Sequence, residues 1–330
     1  MMKRLTLSLF FILLLTLSAD AAVRFGVCAT TCTWDASSTA MWSTSTGGAT
    51  GASVPTTIDD VQFDANTCVG GTTCTITVNT NFTINSITMG NCTASTTGCI
   101  LDFSVNNNSP HLATFNASGS GVRTIKMGTG TWTVAGTGVL WFIPTSTNLT
   151  FTPSTSNLIF QVTGTAGGSM NAGTVTYGHI TIAAYQSLAT AGIFTFTPNT
   201  SFTIGTFDVI APNFIQLISS PSSITVTNPI HWTGSGTNSI RIQSNGANQA
   251  VITVAAGSTI NQGTFQSIAW TGATTATNSF EFGRIGGTGL TVTGPTGSGA
   301  GACILGGWLL WRDITPDQHN NLPAFLDQAA

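Results

Sequence analysis

Asp59, Asp60 and Asp64 form the acidic cluster of this chain. Paired carboxylates are what acid–base cleavage of a glycosidic bond or Ca2+ binding requires. The same residues also suit a structural task. Asp59 and Asp60 follow Thr56-Thr57 and precede the strand-like Val61-Gln62-Phe63, a place where aspartate side chains accept bonds from nearby backbone N–H groups. No regular calcium-loop spacing surrounds them, so the turn role is the favoured reading. Asp59, Asp60 and Asp64 stand as the alternative acidic site, that of a glycan-degrading β-helix enzyme of the polysaccharide-lyase kind. Such an enzyme needs acids and a base converging on one groove, whereas Arg123, Lys126, Arg241, Arg284 and Arg312 are spread along the sequence, and Asp208 and Glu281 stand singly on strand-like segments. No G-x-S-x-G elbow occurs between a strand and a helix. The glycine-rich run Gly286–Gly301 lacks the strand-to-helix setting of a phosphate loop. The expected catalytic set is empty, no cofactor is expected, and the chain reads as a non-enzyme.

Six of the seven cysteines, Cys28, Cys32, Cys68, Cys74, Cys92 and Cys99, lie in the first third of the chain, and Cys303 stands apart near the end. In an exported protein six cysteines form a disulfide framework, for which about 15 connectivities exist. Pairs such as Cys68 with Cys74 and Cys92 with Cys99 would close short loops at the edge of a fold. Zinc would need CxxC pairs or clustered histidines. His111, His179, His231 and His319 are scattered singly, so no metal site is expected.

The segments that must position these residues begin with an export signal. Lys3 and Arg4 precede an apolar run from Leu5 to Leu17 and then Ala19-Asp20-Ala21, the three regions of a secretory signal peptide, and the mature chain is expected to start near Ala22. No later stretch reaches the roughly 20 apolar residues of a membrane-spanning helix. The expected setting is therefore secreted or extracellular, with no integral membrane segment after cleavage.

Charged residues make up only 6% of the chain, against about 25% in ordinary globular proteins, with Thr, Ser, Gly and Asn in their place. Without Lys3, Arg4 and Asp20, 6 basic and 10 acidic side chains remain, a net charge of −4. That composition offers no electrostatic footprint for a phosphate backbone, and nucleic acid is excluded as an expected partner.

From Cys74 to Thr293 one theme recurs: three to five residues alternating apolar with Thr, then a few Gly, Asn, Ser or Pro. Thr75-Ile76-Thr77-Val78, Trp132-Thr133-Val134, Ile180-Thr181-Ile182, Phe202-Thr203-Ile204 and Ile224-Thr225-Val226 are examples. A period of two buries one face of a short strand. Ile84 and Ile87 break that phase, so Asn85-Ser86 must turn a corner inside one strand run. The fold class is all-β. A single-domain parallel β-solenoid, a right-handed β-helix, explains the corners, because each coil buries its apolar face only by stacking on the next. Tandem β-sandwiches are the alternative, but they need tight hairpins, and Asn245-Gly246 is the single Asn-Gly dipeptide in the chain.

The expected division is 1–21 as signal peptide, 22–73 as N-terminal cap and first coil, 74–300 as β-solenoid, and 301–330 as C-terminal cap. Trp34 and Trp42 are placed to close the bottom of the column. Thr315-Pro316 reads as the start of a short C-terminal helix, with Thr as N-cap and Pro at the first helical position. Trp132, Trp141, Trp232 and Trp270 share phase with apolar strand neighbours and are expected in the core, rather than on a sugar-stacking platform. The N-x-S/T sequons at Asn81, Asn91, Asn107, Asn116, Asn148 and Asn199 arise readily in a Thr-rich chain.

The run TWDASSTAMWSTSTGGATGASVPTTIDDVQFDA, followed by TITVNTNFTINSITMGN and later GTGTWTVAGTGVLW, resembles the start of β-solenoid surface proteins. These are of the autotransporter-passenger or adhesin type, together with similar bacteriophage virion or tail-fibre-like proteins. The resemblance covers the first hundred or so residues. It implies a surface or virion structural role and supplies no catalytic residues. Two features depart from it: no run of alternating ten-residue strands follows to build an autotransporter barrel, and Lys3 to Ala21 reads as an export signal, which fibre proteins seldom carry. The expectation is an exported structural or adhesive protein presenting Thr- and Asn-lined faces. Its candidate partners are a cell-surface glycan or protein, or further copies of itself, and a virion component is the alternative setting.

Overall fold

The computed structural model describes residues 21–292 apart from 71–72, 93–97, 165, 184–192, 198–200, 211–212, 218–222, 235–239, 245–249, 267 and 283–288. Among them every regular element is a strand. The expected C-terminal helix and cap, 301–330, lie outside the described residues, as do Cys303 and the signal segment 1–20.

Pairing direction decides between the two architectures. Among the described residues every ladder is parallel except the short one between Val23–Gly26 and Trp42–Ser43. Sandwiches are built from antiparallel hairpins, so the alternative of tandem β-sandwiches is corrected to a parallel β-solenoid. The coil is plain where it is shortest: Ile240–Ser244, Ala250–Val254 and Ser258–Asn261 pair in turn with Gly263–Gln266, Ile268–Thr271 and Thr274–Thr277. Three walls thus enclose one core.

The alternation dictates what fills that core. In Cys74–Val78 the side chains of Cys74, Ile76 and Val78 are buried while Thr75 and Thr77 are half-buried. Each inward residue lies on its counterpart one coil below, as in Ile84–Leu112, Leu112–Val134, Leu158–Ile180 and Ile180–Phe207. Burial of each such side chain is worth roughly 1.5–3 kcal/mol. A register slip of one residue would turn the whole set outward.

The phase break at Ile84 and Ile87 is a corner. Both are buried while Asn85 between them is exposed. Leu112 and Phe115 sit directly against them, and Tyr177 with Ile180 and Ile204 with Phe207 repeat the three-residue step four and five coils beyond Ile84. Coils approach closely at such corners: a Cβ on Gly205 would lie 2.4 Å from the carbonyl oxygen of Gly178, so a residue without one is required there.

Aromatic rings run unbroken through the interior. Trp34, Phe82, Phe103, Trp132, Trp141, Tyr177, Phe202, Phe196, Phe207, Trp232 and Trp270 each contact the next, with centroids 4.2–6.4 Å apart. Each pair adds roughly 0.5–1.5 kcal/mol beyond area burial. Trp132, Trp141, Trp232 and Trp270 are core residues, as their phase predicts. Their indole N–H groups donate to Met127 O, Tyr177 Oη, Phe207 O and Thr274 Oγ1.

Trp34 and Trp42 pack edge to face at 5.0 Å at the lower end. Val23–Gly26 pairs with Asp60–Phe63 on one side and Trp42–Ser43 on the other. The single antiparallel ladder therefore covers an edge that stacking would leave open. Its location explains the two tryptophans near the start of the chain.

Candidate functional site

The structure separates the roles of the three clustered acids. Asp59 is 2% exposed. Its Oδ2 accepts from the backbone N–H and the hydroxyl of Thr56, at 2.8 and 2.9 Å, and its Oδ1 accepts from Ala22 N at 2.9 Å. Arg24 stands 4.0 Å away. Burial alone would raise its pKa, but the bonds from Thr56 and Ala22, with Arg24 beside them, hold it below the ordinary aspartate value. Asp60 accepts from Asn85 Nδ2 and Ser86 Oγ in the next coil. Asp64 takes the N–H of Asn66 in its own turn. Each carboxylate serves a backbone turn or a coil-to-coil contact, as the Thr-Thr-Ile-Asp-Asp spacing suggests. Among the described residues, no group of three or more His, Cys, Asp or Glu is placed to hold a metal ion.

The cysteines pair locally as Cys28–Cys32, Cys68–Cys74 and Cys92–Cys99, with Cα atoms 5.8, 5.3 and 5.5 Å apart. The three bridges stack, because Cys28 lies beside Cys68 and Cys74 is in register with Cys99. Disulfides persist in oxidising compartments, and three of them are consistent with an extracellular protein.

Above Cys99 in this column stands Arg123, fully buried. Its guanidinium donates to four backbone carbonyls, Ala117, Gly121, Thr145 and Thr147, at 2.8–3.3 Å. No carboxylate pairs with it among the described salt bridges, and burial pulls its pKa down. Sequence reading counted Arg123 only among basic residues dispersed along the chain. The available signal was phase: in Arg123-Thr124-Ile125-Lys126 the arginine alternates with Ile125, which is core. Lys126, on the opposite phase, pairs with Asp102 at 2.9 Å.

The outer wall carries the arrangement that spacing along the chain concealed. His179 Nε2 lies 2.7 Å from Asp208 Oδ2, and the hydroxyl of Thr181 lies 3.3 Å from the same nitrogen. Thr181 also donates to Asn157 Oδ1 at 3.1 Å, and Asn228 Nδ2 donates to Thr206 Oγ1 at 3.0 Å. Register aligns Asn157, His179 and Thr206 in one row and Thr181 with Asp208 in the next. His179 and Asp208 keep 29% and 46% of their side-chain surfaces exposed, so the pair faces solvent. Both Asp208 and Thr181 meet the same imidazole nitrogen. A nucleophile relay would need opposite ring nitrogens, so this pair can donate or accept toward a ligand but does not form a triad.

A second exposed row follows on Trp232–Phe207 contact at 5.2 Å: His231, Thr259, Thr275 and Thr291 are successive register partners. His231 Nδ1 lies 2.9 Å from Thr259 Oγ1. The wall is a ladder of hydroxyl, amide and imidazole groups with few charges. Among the described residues no helix is long and apolar enough to cross a membrane. Compared with family models, with curated proteins and with solved structures, the chain matches none.

Proposed function

We propose that this protein is an exported structural or adhesive surface element, non-catalytic, whose polar outer walls contact a cell-surface glycan, a surface protein or further copies of the chain. The observation that carries this reading is the row Asn157–His179–Thr206 with Thr181 and Asp208 beside it. It sets the half-exposed amide, imidazole and hydroxyl of Asn157, His179 and Thr206 around one carboxylate, with Thr181 buried beside them, on a stack of coils. Sugar hydroxyls both donate and accept hydrogen bonds, and hydroxyl, amide, imidazole and carboxylate groups offer both kinds of partner. The export signal, the three disulfides and the commitment of Asp59, Asp60 and Asp64 to internal bonds support the same reading. A virion component would expose the same kind of wall, and neighbouring genes for capsid or tail proteins would favour that setting.

The one observation favouring glycan cleavage instead is the His179–Asp208 pair, the exposed acid–base couple of the described wall. A glycan array probed with the mature protein, with released sugars assayed in parallel, separates the two. Binding without release, weakened at least tenfold in Asp208→Asn, is the expected result. Release of sugar that is lost in the same variant would replace adhesion by hydrolysis, and no binding to any glycan would leave only protein or self-association as the contact.

A further inference from the structure

Ala22 and Asp59 sit 37 residues apart in sequence and meet at the lower end of the column. Ala22 is half-buried, Ala21 before it is exposed, and the strand Val23–Gly26 begins immediately after. Ala22 is held from both sides: its N–H donates to Asp59 Oδ1 at 2.9 Å and its carbonyl accepts from Asp60 N at 2.9 Å. Asp59 is a nearly fully buried carboxylate. Its nearest described cation is the Arg24 guanidinium at 4.0 Å, whose Nε and Nη2 also donate to Ser53 O and Ser53 Oγ. The bonds it accepts from Thr56 and Ala22 already favour its charged form, and a positive charge placed at Oδ1 would favour it further. The residues before Ala22 are Ala19-Asp20-Ala21, small at the two positions a signal-cleaving protease reads.

We propose that export processing cuts the Ala21–Ala22 bond and that Asp59 is the built receptor for the new N-terminus. Water adds across the peptide bond: Ala21 leaves with a carboxylate, and the Ala22 nitrogen gains protons to become an α-ammonium. Its hydrogen bond to Asp59 then becomes an ion pair, without movement of either group. Before the cut Ala22 offers one neutral N–H. After it, the same atom places a positive charge directly against Oδ1 and ties the edge strand Val23–Gly26 to the turn at Thr56–Asp59. Processing thus completes the lower cap, and a chain that retains its leader carries a weaker one. The proposal rests on the export reading and goes beyond it.

The test begins with N-terminal sequencing of the exported protein, where Ala22 is expected, and a start elsewhere overturns the assignment. Thermal unfolding is then compared between the protein with a free Ala22 amine and the same protein acetylated at that amine. Acetylation keeps one N–H and removes the charge, as the uncut peptide does. The free form is expected to melt higher at pH 6 by roughly 2 °C or more. The α-ammonium pKa is raised by its partner, so this advantage is present below the unfolded value of about 8 and vanishes as pH rises through the folded value. Asp59→Asn should abolish the difference. Should that variant not fold, the α-amine pKa measured by NMR decides, with a value above the ordinary one expected. Equal melting of the two forms, or an unshifted amine, overturns the ion pair. Failure of the chain to leave the cell would instead count against the export reading, since the melting comparison stands without it.

Discussion

Arg123 lies in register directly on Cys99, and it closes with hydrogen bonds the corner that a disulfide closes one coil below. Cys92–Cys99 ties a loop to its strand covalently. Arg123 ties the loops carrying Ala117–Gly121 and Thr145–Thr147 by donating to their carbonyls. The column passes from cross-linked to hydrogen-bonded at this level, and then to Leu149 in the next coil.

Removing that side chain should be among the most damaging single changes available. Arg123→Ala leaves four carbonyls without their shared donor and opens a cavity. Arg123→Met fills the space but restores none of the bonds. Orphaned buried acceptors cost about 1–3 kcal/mol each and do not sum, so a loss of roughly 3 kcal/mol is expected for both in urea unfolding. A loss below about 0.5 kcal/mol in Arg123→Met would mean that the guanidinium serves packing alone.

The three disulfides close loops of only a few residues, with sequence separations of 4, 6 and 7. The chain-entropy relation gives each roughly 2 kcal/mol. Replacing Cys68 and Cys74 together by Ser should therefore lower stability by about that amount and increase hydrogen exchange of the Val23–Gly26 and Asp60–Phe63 amides. Exchange in the distant strands Ala250–Val254 and Ile268–Thr271 should stay unchanged, because a coil contacts only its neighbours. Uniform acceleration along the column would show that these bridges guard global rather than local opening.

Period-two alternation made the fold class legible, and the three-residue step from Ile84 to Ile87 made the corners legible, since both are local consequences of side-chain direction. Sequential cysteine pairs and inward tryptophans were readable for the same reason. The His179–Asp208 couple was not. Its members are one coil apart, and coil length varies: register partners are 28 residues apart for Ile84 and Leu112 but 22 for Leu112 and Val134. Without a fixed period no spacing rule brings two outward residues together. Asp59 was correctly placed in a turn with Thr56, yet its second partner, Ala22, lies across an irregular first coil. Arg123 was noted only as one of several dispersed basic residues, and its phase with Ile125, which places it in the core, went unused.

The couple at His179 and Asp208 should matter to binding and hardly at all to folding. Polar pairs that remain open to solvent contribute about 0–1 kcal/mol. Thermal unfolding of His179→Ala and Asp208→Asn is therefore expected within about 0.5 kcal/mol of the parent, which makes them clean probes of the wall. A larger loss in either would identify the pair as a structural clamp between coils.

Two glycines with the same backbone constraint separate conformation from contact. Gly98 and Gly257 have φ of +65° and +85°, and alanine at either is strained by about 1 kcal/mol. At Gly257 an added Cβ meets nothing within 4 Å, whereas at Gly98 it would lie 1.8 Å from the carbonyl oxygen of Val122. Gly257→Ala should therefore cost about 1 kcal/mol. Gly98→Ala should cost several times more, because coils must part next to Cys99 and Arg123. Equal losses in chemical denaturation would show that coil spacing there yields freely.

Acid should loosen the lower half of the column first. Burial would raise the pKa of Asp102, yet the bonds from Ser104 and Lys126 hold it below the ordinary value, and Asp59 behaves alike through Thr56 and Ala22. A carboxylate with a depressed folded pKa contributes stability above its unfolded value of about 3.9, and that contribution disappears as pH falls through the folded value. Melting temperature should thus be level from about pH 7 to 5 and fall below about pH 4. Asp59→Asn combined with Asp102→Asn should start lower at neutral pH and lose less on acidification, because the groups that titrate have been removed. An unchanged acid slope in that double variant would place the pH sensitivity elsewhere and show that neither carboxylate is held by its partners in solution.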